Sequence, residues 1–241
     1  QTGSYSFAGA KALKSVVFGE GLTTLGDRTF KESGLAGTVD MSACTGLTQV
    51  GSEAFFGCSA VETVVLPPCY KSAGWRAFAE MSGLVSITCA DAGEAAKEMA
   101  VCDGSFGEDV IASCPKLERI EVPWGGTVSF TKNLRGLTSL KTLKINGKAP
   151  VAGSANADFF AAYGSVAAQP AYQLKIVVSR LQDEAGWRAF ATREPTAAER
   201  ARDDWPGSKT FGVVDLPESS RAWLVWGSSR FAKSGSMVII R

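Results

Sequence analysis

Six residues, Ala-Gly-Trp-Arg-Ala-Phe, occur twice in this chain, at Ala73–Phe78 and at Ala185–Phe190. An identical hexapeptide with two aromatic residues points to an internal repeat, and a fixed period restricts the available folds more than composition does. The period is explicit in a set of triplets. Val16-Val17-Phe18, Val39-Asp40-Met41, Val64-Val65-Leu66, Ile87-Thr88-Cys89, Ile120-Glu121-Val122, Leu143-Lys144-Ile145 and Ile176-Val177-Val178 begin at successive intervals of 23, 25, 23, 33, 23 and 33 residues. The intervals define a 23-residue unit with two ten-residue insertions. First and third positions are apolar every time, while the middle position includes Asp, Thr, Glu and Lys. That is the alternation of a strand with one buried and one wet face.

Two more columns share the period. Leu13, Leu35, Val61, Leu84, Leu117 and Leu140 precede the triplets by three or four residues, and only the seventh unit departs, with Gln173. Phenylalanine follows at Phe30, Phe55 (or Phe56), Phe78, Phe106, Phe160 and Phe190, often with glycine four residues earlier, as Gly26, Gly51, Gly74 and Gly186. Glycine permits a tight corner after the strand, and the aromatic ring plugs the space between coils.

The segment Gly51-Ser-Glu-Ala-Phe-Phe-Gly-Cys-Ser-Ala-Val61-Glu-Thr-Val-Val-Leu-Pro67 resembles the Ile-Gly-x-x-Ala-Phe-x-x-Cys-x-x-Leu-x-x-Ile-x-Leu-Pro unit of BspA-like leucine-rich repeat proteins, with Val61 in place of the usual leucine. Lys116-Leu-Glu-Arg-Ile-Glu-Val-Pro123 repeats its second half, and the resemblance spans roughly residues 4 to 190. It implies a bacterial protein, secreted or attached to the cell surface, often an adhesin. The columns themselves predict a leucine-rich-repeat solenoid of the α/β type, with about seven coils and one short parallel strand per coil.

The solenoid is expected over residues 1–190, with insertions near 90–102 and 147–170, and a small mixed tail over 191–241. Gly93–Ala100 reads as a short helix, and Asp158–Tyr163 as a helical turn after a flexible loop. In the tail, a charged helix is expected near Pro195–Asp204, followed by strands at Phe211–Leu216, Ala222–Trp226 and Met237–Ile240. A terminal coil exposes an apolar end, so the tail reads as its cap or as the start of a further module. The opening residues resemble the closing half of a repeat, so the chain is expected to be a mature product or fragment whose leader is absent.

Composition removes more functions than any motif supports. There is no histidine, which excludes Ser-His-Asp and Cys-His catalysis and imidazole metal sites. Net charge is +1 without a basic cluster, so no nucleic-acid partner is expected. No apolar run approaches the ~18 residues of a membrane span, so no membrane insertion is expected. Ser129-Phe-Thr-Lys132 fits Ser-x-x-Lys, but its partner motifs are missing. No enzyme, cofactor or metal site is therefore expected.

The six cysteines read as structural thiols. Cys58 and Cys114 hold one corner position, where Met81 stands in the repeat between them, so they lie about two strand spacings, ~10 Å, apart, too far to bridge. Cys89 should point inward, and Cys89 with Cys102 is the pair that an insertion folding back would bring together. Trp75 and Trp187 are expected to pack between coils. The remaining candidate for function is the wet side of the sheet. Asp40, Val65, Thr88, Glu121 and Lys144 fall at middle strand positions, and Thr63, Ser86, Arg119, Thr142 and Lys175 just before the triplets. A flat face of this kind suits a protein or polymer surface more than a metabolite. The expected role is a non-enzymatic binding or adhesion module, extracellular or on the cell surface, engaging a protein or glycan on a host or neighbouring cell. The alternative is a structural spacer that presents other domains of a longer polypeptide.

Overall fold

The computed structural model describes residues 2–90, 105–106, 109–122, 137, 139–146, 174–180, 185–186, 189, 210–215 and 221–225. Twelve strands occur among them: β1 (Thr24–Leu25), β2 (Ala36–Asp40), β3 (Gln49–Val50), β4 (Ala60–Leu66), β5 (Ser72–Ala73), β6 (Ser86–Cys89), β7 (Ser105–Phe106), β8 (Arg119–Val122), β9 (Thr142–Asn146), β10 (Leu174–Arg180), β11 (Thr210–Asp215) and β12 (Arg221–Val225). They form two sheets. The larger runs β2-β4-β6-β8-β9-β10-β11-β12, and the smaller β1-β3-β5-β7.

The large sheet follows the repeat register. Val39 pairs with Val64, Val64 with Ile87, Ile87 with Ile120, Ile120 with Leu143, and Leu143 with Ile176, all in parallel. One strand per coil thus arrives in the same phase, because each coil must place its first triplet residue over that of its neighbour to bury it. Val39, Val64, Ile87, Ile120 and Leu143 are all buried, as are Leu35, Val61, Leu84, Leu117 and Leu140 of the preceding column. The parallel-strand solenoid expected from the period is the fold of the described coils. Val16-Val17-Phe18 keeps the alternation, with Phe18 buried and Val17 96% exposed, but forms no strand. Its neighbour β2 has a left-handed Gly37, φ 67°, and just beyond it the register to β4 shifts by one residue, at Glu62.

The opposite side of the coils differs from the expectation of an α/β-type repeat. The described coils carry turns there, and a second short strand in place of a helix. Register links Leu25 to Val50, Val50 to Ala73, and Ala73 to Phe106. Beyond this sheet the backbone alternates between two kinds of hydrogen bond. Amides of Tyr5, Phe7 and Gly9 donate to Asp27, Thr29 and Lys31 of the next coil, while Ala8 and Ala10 donate three residues back, to Tyr5 and Phe7. The pattern recurs one coil on: Arg28, Phe30 and Glu32 donate to Ser52, Ala54 and Phe56, while Lys31 and Ser33 donate to Arg28 and Phe30. Every second amide therefore bonds along the solenoid axis and the rest close tight turns, so these buried donors are satisfied without helix.

Such a zigzag requires left-handed residues. Tyr5, Arg28, Glu53, Arg76 and Asp109 lie two positions before the plug, and Gly9, Glu32, Gly57, Glu80 and Ser113 two after it, with φ between 52° and 70°. Eight of these positions are not glycine, a costly conformation held by hydrogen bonds on both sides. The corner glycines answer to a different constraint. A Cβ on Gly51 would lie 2.5 Å from the carbonyl carbon of Gly26, and one on Gly74 2.6 Å from the amide nitrogen of Ser52. Neighbouring backbones touch at that corner, and only glycine leaves room.

Between the left-handed columns run the plugs. Phe7, Phe30, Phe55 and Phe78 stack face to face, with centroids 5.3, 5.4 and 5.6 Å apart, and the Phe18 ring meets Phe30 and Phe55 edge-on. Phe55, not Phe56, fills the plug. Phe106 does not continue the ladder. It pairs in register with Ala73, and the amide of Phe78 donates to Val110, which makes Ile111 the next plug. The insertion precedes this corner, so counting from the preceding Phe stops five residues short. Ile111 is fully buried.

In the tail, β11 joins β10 in parallel and β12 returns antiparallel to β11. The expected strands at 211–216 and 222–226 thus occur within a residue of their places. The expected helices at 93–100, 158–163 and 195–204, the strand at 237–240, the plugs Phe160 and Phe190, and Cys102, Trp124, Trp187, Trp205 and Trp226 lie outside the described residues.

Candidate functional site

The large sheet brings the candidate face into two rows. Thr63, Ser86, Arg119, Thr142 and Lys175 are successive register partners across β4, β6, β8, β9 and β10. In the second row Asp40 pairs with Val65 and Val65 with Thr88, and further along Glu121 pairs with Lys144. The rows follow from parallel in-phase strands, whose residues two apart share a face.

The face is not uniform. Asp40 is exposed, Thr63, Val65, Ser86, Thr88 and Thr142 are half-buried, Arg119 is exposed, and Glu121 is only 7% exposed. The burial of Glu121 differs from the wet middle position expected for it. Its carboxylate lies 3.6 Å from the Arg119 guanidinium, and register sets Lys144 beside it. A carboxylate withdrawn from water needs a cation such as that of Arg119 nearby. At the other end the Ser42 side chain and, at 2.8 Å, the Ser42 amide donate to Asp40, which holds its carboxyl below the usual range. Thr63 and Ser86 share a hydrogen bond of 3.2 Å between hydroxyls. Several groups of the face thus also hold the sheet together.

A second surface was not legible as a site. On the corner side, Arg28 donates to both the Glu53 carboxylate and the Tyr5 hydroxyl, and Lys31 lies 3.0 Å from Glu53. Burial alone would raise the Glu53 carboxyl, but the bonds from Arg28 and Lys31 outweigh it and leave the group below its ordinary value. Arg76 lies over the rings of Phe56 and Trp75, 4.5 and 5.3 Å from their centroids, and pairs with Glu80 at 2.8 Å. Trp75 is 49% exposed and Tyr5 54%. The expectation that Trp75 packs between coils is therefore corrected: it precedes left-handed Arg76, and its ring lies outside against the guanidinium. The signal was available in the column Tyr5, Arg28, Glu53, Arg76 and Asp109, where basic and acidic residues alternate from Arg28 onward.

Thiols lie mostly against backbone. Cys58 donates to the Phe30 carbonyl at 3.0 Å and Cys114 to that of Phe78 at 3.2 Å. Burial pushes the Cys114 thiol up to about 12 and raises Cys58 as well. Cys44, Cys58, Cys69 and Cys114 are free thiols, and Cys89 is half-buried against the core. Among the described residues no group of three His, Cys, Asp or Glu is placed to hold a metal ion, and no helix is long and apolar enough to cross a membrane.

The repeated turn, plug and strand agree with a known family. The BspA-type leucine-rich repeat region matches residues 1–102, in six copies. Residues 1–102 carry that repeat. The match takes in the coils that carry the Phe ladder, both left-handed columns up to Glu80, and strands β1 to β6. BspA-type repeats are generally interaction scaffolds without catalytic machinery. No curated protein matches the chain.

Proposed function

We propose that the protein is a binding and adhesion module, secreted or held at a bacterial cell surface, that engages a protein or glycan of a host or neighbouring cell through the open face of its large sheet. The observation that carries this reading is the in-phase row Thr63, Ser86, Arg119, Thr142 and Lys175, which aligns hydroxyl-bearing and basic residues in register over five strands. A row of this length spans about 20 Å at the ~4.8 Å strand spacing, the scale of an extended peptide or a short oligosaccharide. BspA-type repeats fit such a role. The solenoid, taken as residues 1–190, supplies the face, and residues 191–241 close its end or lead into a further module. No enzyme activity or cofactor belongs to this reading.

The test is binding of the whole chain to arrays of extracellular-matrix proteins, mucins and glycans, followed by Thr88→Arg and Arg119→Glu. Loss of a captured ligand with these variants, and its retention by Trp75→Ala, supports the sheet face. The reverse pattern moves the site to the corner surface. The second reading, a spacer that presents other domains, is favoured by the continuation of one sheet from β2 through β11. It predicts no specific capture on any array.

A further inference from the structure

We propose that Cys44 and Cys69 are a redox pair, which a small-molecule disulfide converts into a covalent staple between consecutive coils. The two cysteines leave the same sheet on adjacent strands. Asp40 and Val65 are register partners, the Met41 amide donates to the Val65 carbonyl at 3.0 Å, and each cysteine comes four residues after its partner of that pair. The Cys69 sulfur then rests on the backbone of the preceding coil, 3.3 Å from the carbonyl oxygens of both Cys44 and Leu47. The Cys44 sulfur faces the other way, 3.5 Å from the Gly19 carbonyl. The link therefore requires Cys44 to turn about its Cα–Cβ bond, away from Gly19 and toward Cys69. Adjacent coils stack at ~4.8 Å, inside the ~4.4–6.8 Å Cα range of disulfides. Cys58 and Cys114 provide the internal contrast: with the Met81 coil between them, the same stacking keeps them apart.

The pair is slow rather than primed. Burial raises both thiols, with Lys71 pulling Cys69 partly back. Cys69 is half-exposed and Cys44 fully buried, so Cys69 is the sulfur an oxidant meets first. As thiolate it attacks one sulfur of oxidised glutathione, forming a mixed disulfide and releasing one glutathione thiol. The Cys44 sulfur attacks the Cys69 sulfur, and its proton passes to the second glutathione, which leaves as thiol. The protein gives up two electrons and two protons, and one glutathione disulfide becomes two thiols.

Incubation of the full chain with oxidised glutathione at mildly alkaline pH, followed by intact mass and non-reducing peptide mapping, tests this. The expected result is loss of two hydrogen masses without a retained adduct, a Cys44–Cys69 linked peptide, and reversal by dithiothreitol. Cys44→Ser should trap Cys69 as a stable glutathione adduct, and Cys58→Ser should still form the link. A wild-type product that stops at the Cys69 adduct, that links other cysteines, or that stays unmodified overturns the proposal. Native circular dichroism of each variant separates loss of the pair from loss of the fold.

Discussion

The two sides of each coil are built by opposite rules. On the sheet side a buried residue alternates with a variable middle position, which holds Val, Asp, Thr, Glu or Lys without change of fold. On the corner side every position is constrained: a glycine where backbones touch, a left-handed residue, a ring, and a second left-handed residue. Regular hydrogen bonding makes the sheet side tolerant, whereas the corner depends on contacts with no slack. Stability should therefore concentrate at the corner, and variation, with any recognition, at the sheet.

Four substitutions test that contrast, beginning with the most damaging. Phe55→Ala removes a ring stacked on both sides and meeting Phe18 edge-on, so chemical denaturation should show a loss of about 3–5 kcal/mol. Gly51→Ala puts a methyl group against the Gly26 carbonyl, which must push two coils apart. A loss of about 1–3 kcal/mol is expected, and a smaller value would show that the corner relaxes easily. Glu53→Gln should lose about 1–2 kcal/mol at neutral pH, since the carboxylate is 5% exposed but Arg28 and Lys31 are partly solvated. Because its folded-state value lies below the ordinary 4.5, the contribution of Glu53 is complete above that pH and fades as pH falls through the lowered value. The gap between wild type and Glu53→Gln in urea titrations should accordingly close in acid. Thr88→Ala, on the sheet side, should change stability by no more than about 0.5 kcal/mol. A larger change there would abolish the distinction.

The same contrast explains what could be read from the amino acids. Alternation marks a strand wherever it persists over several residues, so the column from Val39 to Ile176 and its parallel register were legible in full. The strands β1, β3, β5 and β7 have two residues each, too few to alternate. Left-handed corners stayed hidden because Tyr5, Arg28, Glu53 and Arg76 are not the glycines that usually announce them. Trp75 was misplaced for a related reason: its duplication in the hexapeptide suggested mortar, while the turn it sits in directs the ring outward. The rows of the candidate face follow from register, whereas the burial of Glu121 does not. Burial depends on what lies over a residue, which a period along the chain does not encode.

The corner's second left-handed column has a consequence for building new proteins on this repeat. Gly9 and Gly57 share one backbone conformation with Glu32, Glu80 and Ser113. A left-handed L-residue costs about 1–2 kcal/mol, and the extra chain freedom of glycine gives back about 0.5–1 of what its substitution there would gain. Exchanging Glu32 for glycine should thus yield on the order of half a kcal/mol, multiplied by every coil in which it is repeated. The unit around Gly57 is already the better tile, and copying it in tandem offers a route to a longer and more uniform rod than the natural mixture of coils provides.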